Sequence, residues 1–326
     1  MTSLGMTSLG EVDPDVGEII RAENRRQHQK IRLIPSENYA SRAVLEATGS
    51  VLTNKYSEGY ARERYYEGQQ QIDRLEELCA QRARDLFGAE HVNVQPYSGS
   101  PANQAVYVAL GRPGDTVMGL SLAHGGHLTH GAAVSVSGLH YEAVQYGVDE
   151  ATGRLDYDRI AALAEKHRPK LLWCGATAHP RIIDFERVAA TAKETGSLLM
   201  ADMAHIAGLV AAGEHPSPVP HCDFVTSTTH KTLRGPRSGF VMCRDQFRKG
   251  LNRSVFPEMQ GGPLVHVVAA KAICFKEAAS DDFKDYISQV VRNARTLADR
   301  IAARGFRIVS GGTDTHLMLV DVFSKG

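Results

Sequence analysis

The chain has 326 residues, 43% of them hydrophobic, and its 37 lysines and arginines balance 37 aspartates and glutamates. This length can bury the core of one large domain or of two unequal ones. The charge balance does not favour nucleic acid or an anionic membrane as the main partner. No apolar run approaches the length of a membrane span.

The start of the chain is repetitive. The first ten residues repeat one five-residue unit twice, so we interpret residues 1–12 as a flexible leader. We expect residues 13–50 to form an N-terminal arm.

The five cysteines are scattered without a CxxC pair, which fits neither a disulfide framework nor a zinc ribbon. A cytoplasmic location is therefore expected.

The first strong element is an amphipathic helix over residues 70–87, followed by Gly88. The stretch before it, residues 55–66, concentrates tyrosines around Glu58 and suits an interface as well as an active site. After the helix, residues 91–95 read as a strand.

The sequence Tyr97-Ser98-Gly99-Ser100 joins that strand to a helical segment. Backbone N–H groups at the positive end of a helix, with hydroxyls beside them, suit a phosphate. The alternative is an ordinary helix start, with Ser100 as the N-cap and Pro101 at the first helical position. The turn at residues 260–263, Gln-Gly-Gly-Pro, is a weaker phosphate candidate.

Three histidines, His124, His127 and His130, recur at every third position. This spacing invites a metal interpretation, but glycines interrupt any helix and the run contains no carboxylate. We therefore expect no metal, and favour an imidazole that stacks on an aromatic ligand or packs in a loop.

The middle of the chain alternates strands and helices. Short apolar runs predict buried strands at residues 115–120, 169–174, 197–202 and 224–226. Helical periodicity predicts helices at residues 157–167 and 185–195. This alternation is typical of an α/β domain with a mostly parallel sheet, which we place at residues 51–280.

Two residues at predicted strand ends could do chemistry. Asp202 ends one strand, where a carboxylate can face the ligand crevice, although capping of the next helix is an equal alternative. Lys231 follows the strand at 224–226 among hydroxyls, a histidine and arginines. Nearby positive charge and partial burial would lower its pKa and make it a Schiff-base nucleophile. An isolated lysine of this kind is more often a surface residue.

The end of the chain predicts a helix at residues 283–304 and strands at 306–309 and 317–320. We interpret residues 281–326 as the start of a second, smaller domain that is truncated at Gly326.

A phosphate cradle, a stackable histidine, a strand-end carboxylate and an activated lysine are the parts that pyridoxal 5'-phosphate requires. The motifs in which they occur resemble the serine hydroxymethyltransferase family, of fold type I. The matching stretches are residues 33–39 (LIPSENY), 52–60 (LTNKYSEGY), 93–96 (NVQP), 98–100 (SGS), 125–131 (GGHLTHG), 202–209 (DMAHIAGL), 229–237 (THKTLRGPR) and 260–263 (QGGP).

The resemblance implies a role for each matching residue. Lys231 would carry the cofactor, Asp202 would hold its ring nitrogen and His127 would stack on the ring. The other implied cofactor residues are Ser98, Gly99, Ser100, Thr177, His205 and Gly262. The other implied catalytic residues are Glu58, His230, Tyr56 and Tyr66. The implied contacts to serine or tetrahydrofolate are Ser36, Tyr65, Leu122, Gly126, His127 and Leu128.

The implied reaction is the reversible conversion of serine and tetrahydrofolate to glycine and 5,10-methylenetetrahydrofolate. Tyr56, Tyr66 and Gly262 resemble residues that are shared across a homodimer, and a tetramer is a further option. The family's substrate-carboxylate arginine would lie beyond Gly326. Thr177-Ala178-His179 replaces the usual Ser-Ala-Tyr, and Pro101 and Glu258 are also unusual. The alternatives are a threonine or α-methylserine aldolase or transaldolase, or a non-catalytic shortened homologue.

Overall fold

The computed structural model describes residues 8–325, in two compact units that divide after Glu37. Residues 1–7 of the predicted leader lie outside the described residues. In the first unit, α1 (Leu9–Val12) is followed by α2 (Pro14–Gln29). Helix α2 starts here because Asp13 accepts the N–H of Val16 and Pro14 occupies the first helical position.

The helices of the second unit include those that the apolar periodicity of the sequence predicts. They are α3 (Arg42–Thr48), α4 (Gln70–Phe87), α5 (Gly99–Leu110), α6 (Val136–His140), α7 (Tyr157–His167), α8 (Phe185–Thr195), α9 (Ala207–Ala212), α10 (Arg248–Arg253), α11 (Val265–Ala278) and α12 (Asp281–Ala302). Helices α4, α7 and α8 have the predicted bounds. Helix α4 ends at Gly88, whose φ of 69° is readily adopted only by glycine.

The second unit is built around a seven-stranded sheet with the order β3-β9-β8-β7-β6-β4-β5. Its strands are β3 (His91–Asn93), β4 (Thr116–Leu120), β5 (Glu142–Tyr146), β6 (Leu171–Gly175), β7 (Leu198–Asp202), β8 (Phe224–Thr228) and β9 (Gly239–Cys243). Strand β9 pairs antiparallel with both of its neighbours, and the other pairings are parallel. The predicted α/β class and the predicted strands are confirmed, while β5 and β9 were not predicted.

Two apolar layers enclose this sheet. Successive strand residues point to opposite faces, and the core divides accordingly. In β6, Leu172 and Cys174 belong to one buried cluster, whereas Leu171 and Trp173 belong to the other. Burial on both faces explains why these strands read as continuous apolar runs.

Short elements complete the second unit. A hairpin of β1 (Gly59–Tyr60) and β2 (Glu63–Arg64) precedes α4, and β10 (Arg307–Ile308) pairs with β11 (Val320–Asp321). Strand β10 is shorter than the predicted strand at 306–309, and β11 shares only Val320 with the predicted strand at 317–320. Helix α12 begins and ends two residues earlier than predicted. Assignment of residues 281–326 to a smaller domain stays a prediction.

No helix within residues 8–325 is long and apolar enough to span a bilayer. All five cysteines are free and buried, where thiols behave as small hydrophobes.

Candidate active site

Asp202 ends β7 at the carboxyl edge of the parallel sheet, opposite Gly175 of β6 and Thr226 of β8. Ligands bind in the crevice at this edge of α/β sheets. Gly175 has a φ of 110°, and a Cβ on it would lie 2.1 Å from the carbonyl oxygen of Asp202. A glycine at this position therefore allows the two strand ends to pack closely.

The carboxylate of Asp202 is almost fully enclosed by hydrogen-bond partners. Its Oδ2 accepts a bond from Asn103 Nδ2 at 2.9 Å and is bonded to His130 Nε2 at 3.2 Å. Its Oδ1 accepts the backbone N–H of Ala204 at 3.0 Å. Burial opposes the charge, yet the bond to His130 and the nearby charge of Lys231 hold the pKa of Asp202 well below its usual range. The result is a buried ionised carboxylate.

His130 is a fixed hydrogen-bond donor to this carboxylate. Its Nδ1 accepts the backbone N–H of His127 at 3.3 Å, so its proton lies on Nε2, which faces Asp202. Its ring stacks on Trp173 with 5.3 Å between centroids, and only 1% of the residue is exposed. The orientation of His130 is thus set by packing as well as by hydrogen bonds.

His127 has a defined tautomer too. Its Nδ1 accepts the backbone N–H of Thr129 at 3.2 Å and bonds the Thr129 hydroxyl at 2.7 Å. That hydroxyl accepts a bond from Asn103 at 2.7 Å and therefore donates to His127. Burial lowers the pKa of His127, so the ring is neutral at neutral pH. A neutral flat ring is suited to stacking on an aromatic ligand.

The histidine run does not converge on one point. His127, His130 and Asp202 each offer a ligand atom within 4.8 Å of the others, which is close enough for a metal ion. His124 lies apart, where its Nδ1 accepts the N–H of Val148 at 3.0 Å. The three grouped residues already share the hydrogen bonds described above, and their geometry is accounted for without an ion.

Lys231 lies in the loop between β8 and β9. The loop is held by a bond from the N–H of Gly235 to the carbonyl of Thr229 at 2.7 Å. Burial lowers the pKa of Lys231 below its ordinary value of 10.5, the charge of Arg237 acts in the same direction, and Asp202 opposes both. The structure therefore supports the prediction of a partly buried lysine with an enriched neutral form.

Two further histidines lie close to Lys231 and are kept neutral. Burial lowers the pKa of His205 to about 3 and that of His230 to about 4, and the charge of Lys231 adds to both effects. The Nδ1 atoms of both rings are buried without a hydrogen-bond partner among the described residues. His205 also stacks on His316, with ring centroids 5.8 Å apart.

The predicted phosphate cradle opens α5. Ser98 is the N-cap in an extended conformation, and the helix begins at Gly99, so the alternative of Ser100 as the cap is wrong. A Cβ on Gly99 would lie 2.8 Å from Cγ2 of Thr228. The hydroxyl of Thr228 is buried without a partner among residues 8–325. The first N–H groups of the helix, the serine hydroxyls and this threonine offer donors that would suit an anion.

A second group of predicted residues surrounds Glu58. The hydroxyl of Tyr66 donates to Glu58 Oε2 at 2.8 Å, and the rings of Tyr56 and Tyr66 meet edge to face at 5.7 Å. A Cβ on Gly262 would lie 3.2 Å from the Tyr56 ring. Tyr56 is 61% exposed and Tyr66 is 48% exposed. We call Tyr56, Glu58, Tyr66 and Gly262 the tyrosine cluster.

Tyr97 joins the tyrosine cluster to the cradle. Its hydroxyl donates to the carbonyl of Gly262 at 2.7 Å, and its N–H donates to Gln260 at 3.0 Å. Because Ser98 follows Tyr97 directly, the two groups of predicted residues lie side by side. No described hydrogen bond connects the tyrosine cluster with Lys231.

The remaining predicted residues make none of the hydrogen bonds to Asp202 described above. The N–H of Thr177 donates to the carbonyl of Gly125 at 2.8 Å, next to Gly126. Leu122 and Leu128 are 48% and 44% exposed. Tyr65 is 70% exposed, and its ring contacts Phe256 at 5.8 Å. Ser36 belongs to the first compact unit.

Sequence reasoning missed several residues of the centre. Asn103, Thr129 and Trp173 were given no role, although the first two bond each other and Asn103 also bonds Asp202. They lie on α5, on a loop and on β6, and no local pattern links them. The one signal that could have predicted such partners is the general rule that a buried carboxylate needs hydrogen-bond donors.

The residues present fit pyridoxal phosphate. A buried ionised carboxylate suits a protonated pyridine nitrogen, and the start of α5 suits a phosphate. A lysine of lowered pKa suits an aldehyde. The unpartnered buried atoms Thr228 Oγ1, His205 Nδ1 and Asn103 Oδ1 leave hydrogen-bonding capacity for a ligand. The fold and the site thus define a pyridoxal-phosphate enzyme on an α/β sheet.

Comparison with known proteins narrows this class. The family profile described as serine hydroxymethyltransferase matches residues 9–326. A protein from Sorangium cellulosum that is named serine hydroxymethyltransferase is 57% identical to this chain, over 99% of this chain and 76% of the relative. Proteins of the same name from Acidothermus cellulolyticus and Koribacter versatilis are each 57% identical, over 98% of this chain and 75% of the relative. The chain belongs to the serine hydroxymethyltransferase family, a family of fold-type I enzymes that use pyridoxal phosphate and tetrahydrofolate.

Proposed function

We propose that this chain interconverts serine and glycine, with tetrahydrofolate as the one-carbon acceptor, and that the residues assembled around Asp202 carry the chemistry. Family membership supports this reaction and does not favour the aldolase alternative. The observation that carries the proposal is the buried, hydrogen-bonded carboxylate of Asp202 close to a lysine of lowered pKa. Pyridoxal phosphate, when bound, supplies an electron sink for the bond that breaks at the amino acid.

Asp202 and Lys231 have complementary tasks in this proposal. Asp202 would hold a proton on the ring nitrogen, because an ionised carboxylate in a dry site favours a positive ring. Lys231 would hold the cofactor through its neutral amine, which is the form that reacts with an aldehyde. Asn103 and His130 keep the carboxylate ionised and oriented through their hydrogen bonds.

The phosphate and the ring would be held by separate groups. Ser98, Gly99 and Ser100 bind the phosphate with backbone N–H groups and hydroxyls, supported by the unpartnered Thr228. His127 stacks on the ring as a neutral imidazole. His205 and Thr177 contact the ring substituents, and His230 and Gly262 complete the site.

The tyrosine cluster would manage proton transfer and substrate binding. Glu58, bonded to Tyr66, is placed as the acid or base for the one-carbon unit. The exposed Leu122 and Leu128, with the buried Gly126 between them in the chain, are the proposed folate contacts, and Tyr65 is a further substrate contact. The motif match makes Ser36 a candidate substrate residue as well. These assignments rest on the motif matches and on the exposure of the residues.

A homodimer would share these residues between two subunits. The tyrosine cluster leaves large phenol rings exposed, and a covered site is needed to exclude water from reactive groups. We expect a cytoplasmic enzyme of amino-acid and one-carbon metabolism. Equal mixing of Lys231→Ala and Glu58→Gln subunits tests the sharing: activity above that of either variant alone supports it, and no recovery contradicts it.

Absorbance spectroscopy tests the cofactor assignment directly. The purified chain with added cofactor is expected to show a yellow Schiff-base band that is absent from Lys231→Ala. The matched control is Lys276→Ala, an exposed lysine of α11. A wild-type chain that stays colourless refutes the assignment. Turnover of serine with tetrahydrofolate should exceed cleavage of threonine, and the opposite order would favour an aldolase.

A further inference from the structure

A buried lysine on α11 lies behind the phosphate cradle. Lys271 is 1% exposed, and its ammonium donates to the carbonyl oxygens of Val94 at 2.6 Å, Gly239 at 2.7 Å and Pro96 at 3.1 Å. Burial lowers its pKa to about 8, so the group is charged at neutral pH. Three carbonyls satisfy the three protons of one ammonium.

These carbonyls belong to two chain segments that meet at the start of α5. Pro96 lies two residues before Ser98, and the N–H of Gly239 donates to the carbonyl of Pro96 at 3.4 Å. A Cβ on Gly239 would lie 2.3 Å from the carbonyl oxygen of Ser98 and 3.0 Å from the nitrogen of Gly99. The atoms that Lys271 holds are therefore packed directly against the peptide that opens the cradle.

The same helix also supports the loop of Lys231. Cys274 lies one turn after Lys271, and its Sγ donates to the carbonyl of Leu233 at 3.4 Å. A Cβ on Gly235 would lie 2.5 Å from that sulfur. One face of α11 thus contacts both the cradle and the lysine loop, so it can set their relative position.

A charged residue at this place needs a physical reason. An isolated buried ammonium is costly, and an apolar side chain of similar length would fill the same space. Such a side chain would remove one donor from each converging carbonyl, although Pro96 would keep the bonds from the Ser238 hydroxyl at 3.2 Å and from the N–H of Gly239. The mutual repulsion of the carbonyls would then move the two segments apart. A buried positive charge behind the cradle also favours a doubly negative phosphate in front of it.

We propose that Lys271 is a positioning residue of the phosphate site, which holds the Pro96 and Gly239 carbonyls so that the opening peptide of α5 can bind the cofactor phosphate. This inference rests on the proposed function, because it takes the phosphate of pyridoxal phosphate as the bound anion. A purely structural lysine would instead affect overall stability and leave the preference for the phosphate unchanged.

Ligand affinities can separate these two roles. Wild-type chain, Lys271→Met and the exposed control Lys276→Met are freed of cofactor and titrated with pyridoxal 5'-phosphate and with pyridoxal, which lacks the phosphate. We expect Lys271→Met to weaken binding of the phosphorylated ligand by about tenfold or more, with a much smaller effect on pyridoxal. Lys276→Met should resemble the wild type for both. Equal losses on both ligands, or no loss, would overturn the proposal.

A second variant and a second probe keep the test decisive. Should Lys271→Met fail to fold, Lys271→Gln, which retains a donor, takes its place with a smaller expected loss of phosphate preference. Inorganic phosphate is tested as a stabiliser in thermal unfolding. If neither the wild type nor any variant forms the yellow band, the proposed function has failed. The proposal for Lys271 is still supported in that case if phosphate stabilises the wild type and not the Lys271 variant. Unchanged phosphate stabilisation overturns it.

Discussion

The centre around Asp202 and the tyrosine cluster differ in how completely one chain encloses them. Around Asp202, both carboxylate oxygens have hydrogen-bond partners within the chain, and His130 is 1% exposed. In the tyrosine cluster, Tyr56 is 61% exposed although Tyr66 bonds Glu58. The first region is packed within one chain and leaves several buried polar atoms for a ligand, while the other presents aromatic rings at its surface.

The difference in enclosure matches two requirements of the proposed reaction, charge stabilisation and substrate exchange. Stabilising charge on a cofactor requires fixed dipoles in a dry place, and a single packed core can provide them. Handling a substrate that enters and leaves requires a site that can open, and a surface closed by a second subunit meets that need. Changes in the centre should therefore act within each chain, whereas changes in the tyrosine cluster should depend on assembly.

The largest effect is expected from Asp202→Asn, which keeps the shape of the side chain and removes its charge. Serine turnover with tetrahydrofolate should fall by about 100-fold to 1000-fold, because the ring proton loses its counter-charge. The exposed control is Asp285→Asn, which should retain activity. Turnover within a few-fold of the wild type would show that the charge is not essential.

A smaller effect is expected from Asn103→Ala. The change removes a donor from both Asp202 and Thr129 and leaves buried oxygens with fewer partners. The free energy of unfolding should fall by about 1–3 kcal/mol, and turnover should fall by about tenfold. Chemical denaturation and steady-state kinetics measure the two effects, with the exposed Asn293→Ala as control. A loss of stability without loss of turnover would limit Asn103 to packing.

Tyr66→Phe probes the other region. Because the hydroxyl is on an exposed side chain, the free energy of unfolding of the chain should change by less than about 0.5 kcal/mol. Turnover should nevertheless fall severalfold, since Glu58 loses the donor that lies at 2.8 Å. An unchanged turnover would remove the tyrosine cluster from the catalytic proposal.

The last prediction concerns the pH dependence of stability and His179, which stands where the family resemblance implies a tyrosine. Burial lowers its pKa to about 4 from 6.5, so its neutral form is favoured by folding. Its contribution to the free energy of unfolding, up to about 3 kcal/mol, is fully present above pH 6.5. That contribution is lost as the pH falls towards 4. His179→Tyr should therefore reduce proton uptake on unfolding in this range by about one. The control His140→Tyr, at an exposed site, should leave the uptake near its wild-type value.

Much of the fold could be predicted because its signals are local. Helices α4, α7 and α8 follow from apolar periodicity and their terminal residues, and β4, β6, β7 and β8 from continuous apolar runs. Strand β9 was missed although its five residues form the same kind of buried apolar run, and its antiparallel place between β3 and β8 has no local signal. Strand order depends on pairings between distant segments, and these leave no local pattern.

The sequence alone determined the α/β class and the strand-end position of Asp202, and it predicted the cradle residues and Lys231 as the reactive amine. Those features follow from residue types at turns and at strand ends, where a few neighbours decide the chemistry. Only the tertiary structure decided that Asn103 and His130 hold the carboxylate, that His124 lies apart, and that Lys271 supports the cradle. Such contacts join residues up to 177 positions apart, and burial, which sets their charge, is a property of the packed chain.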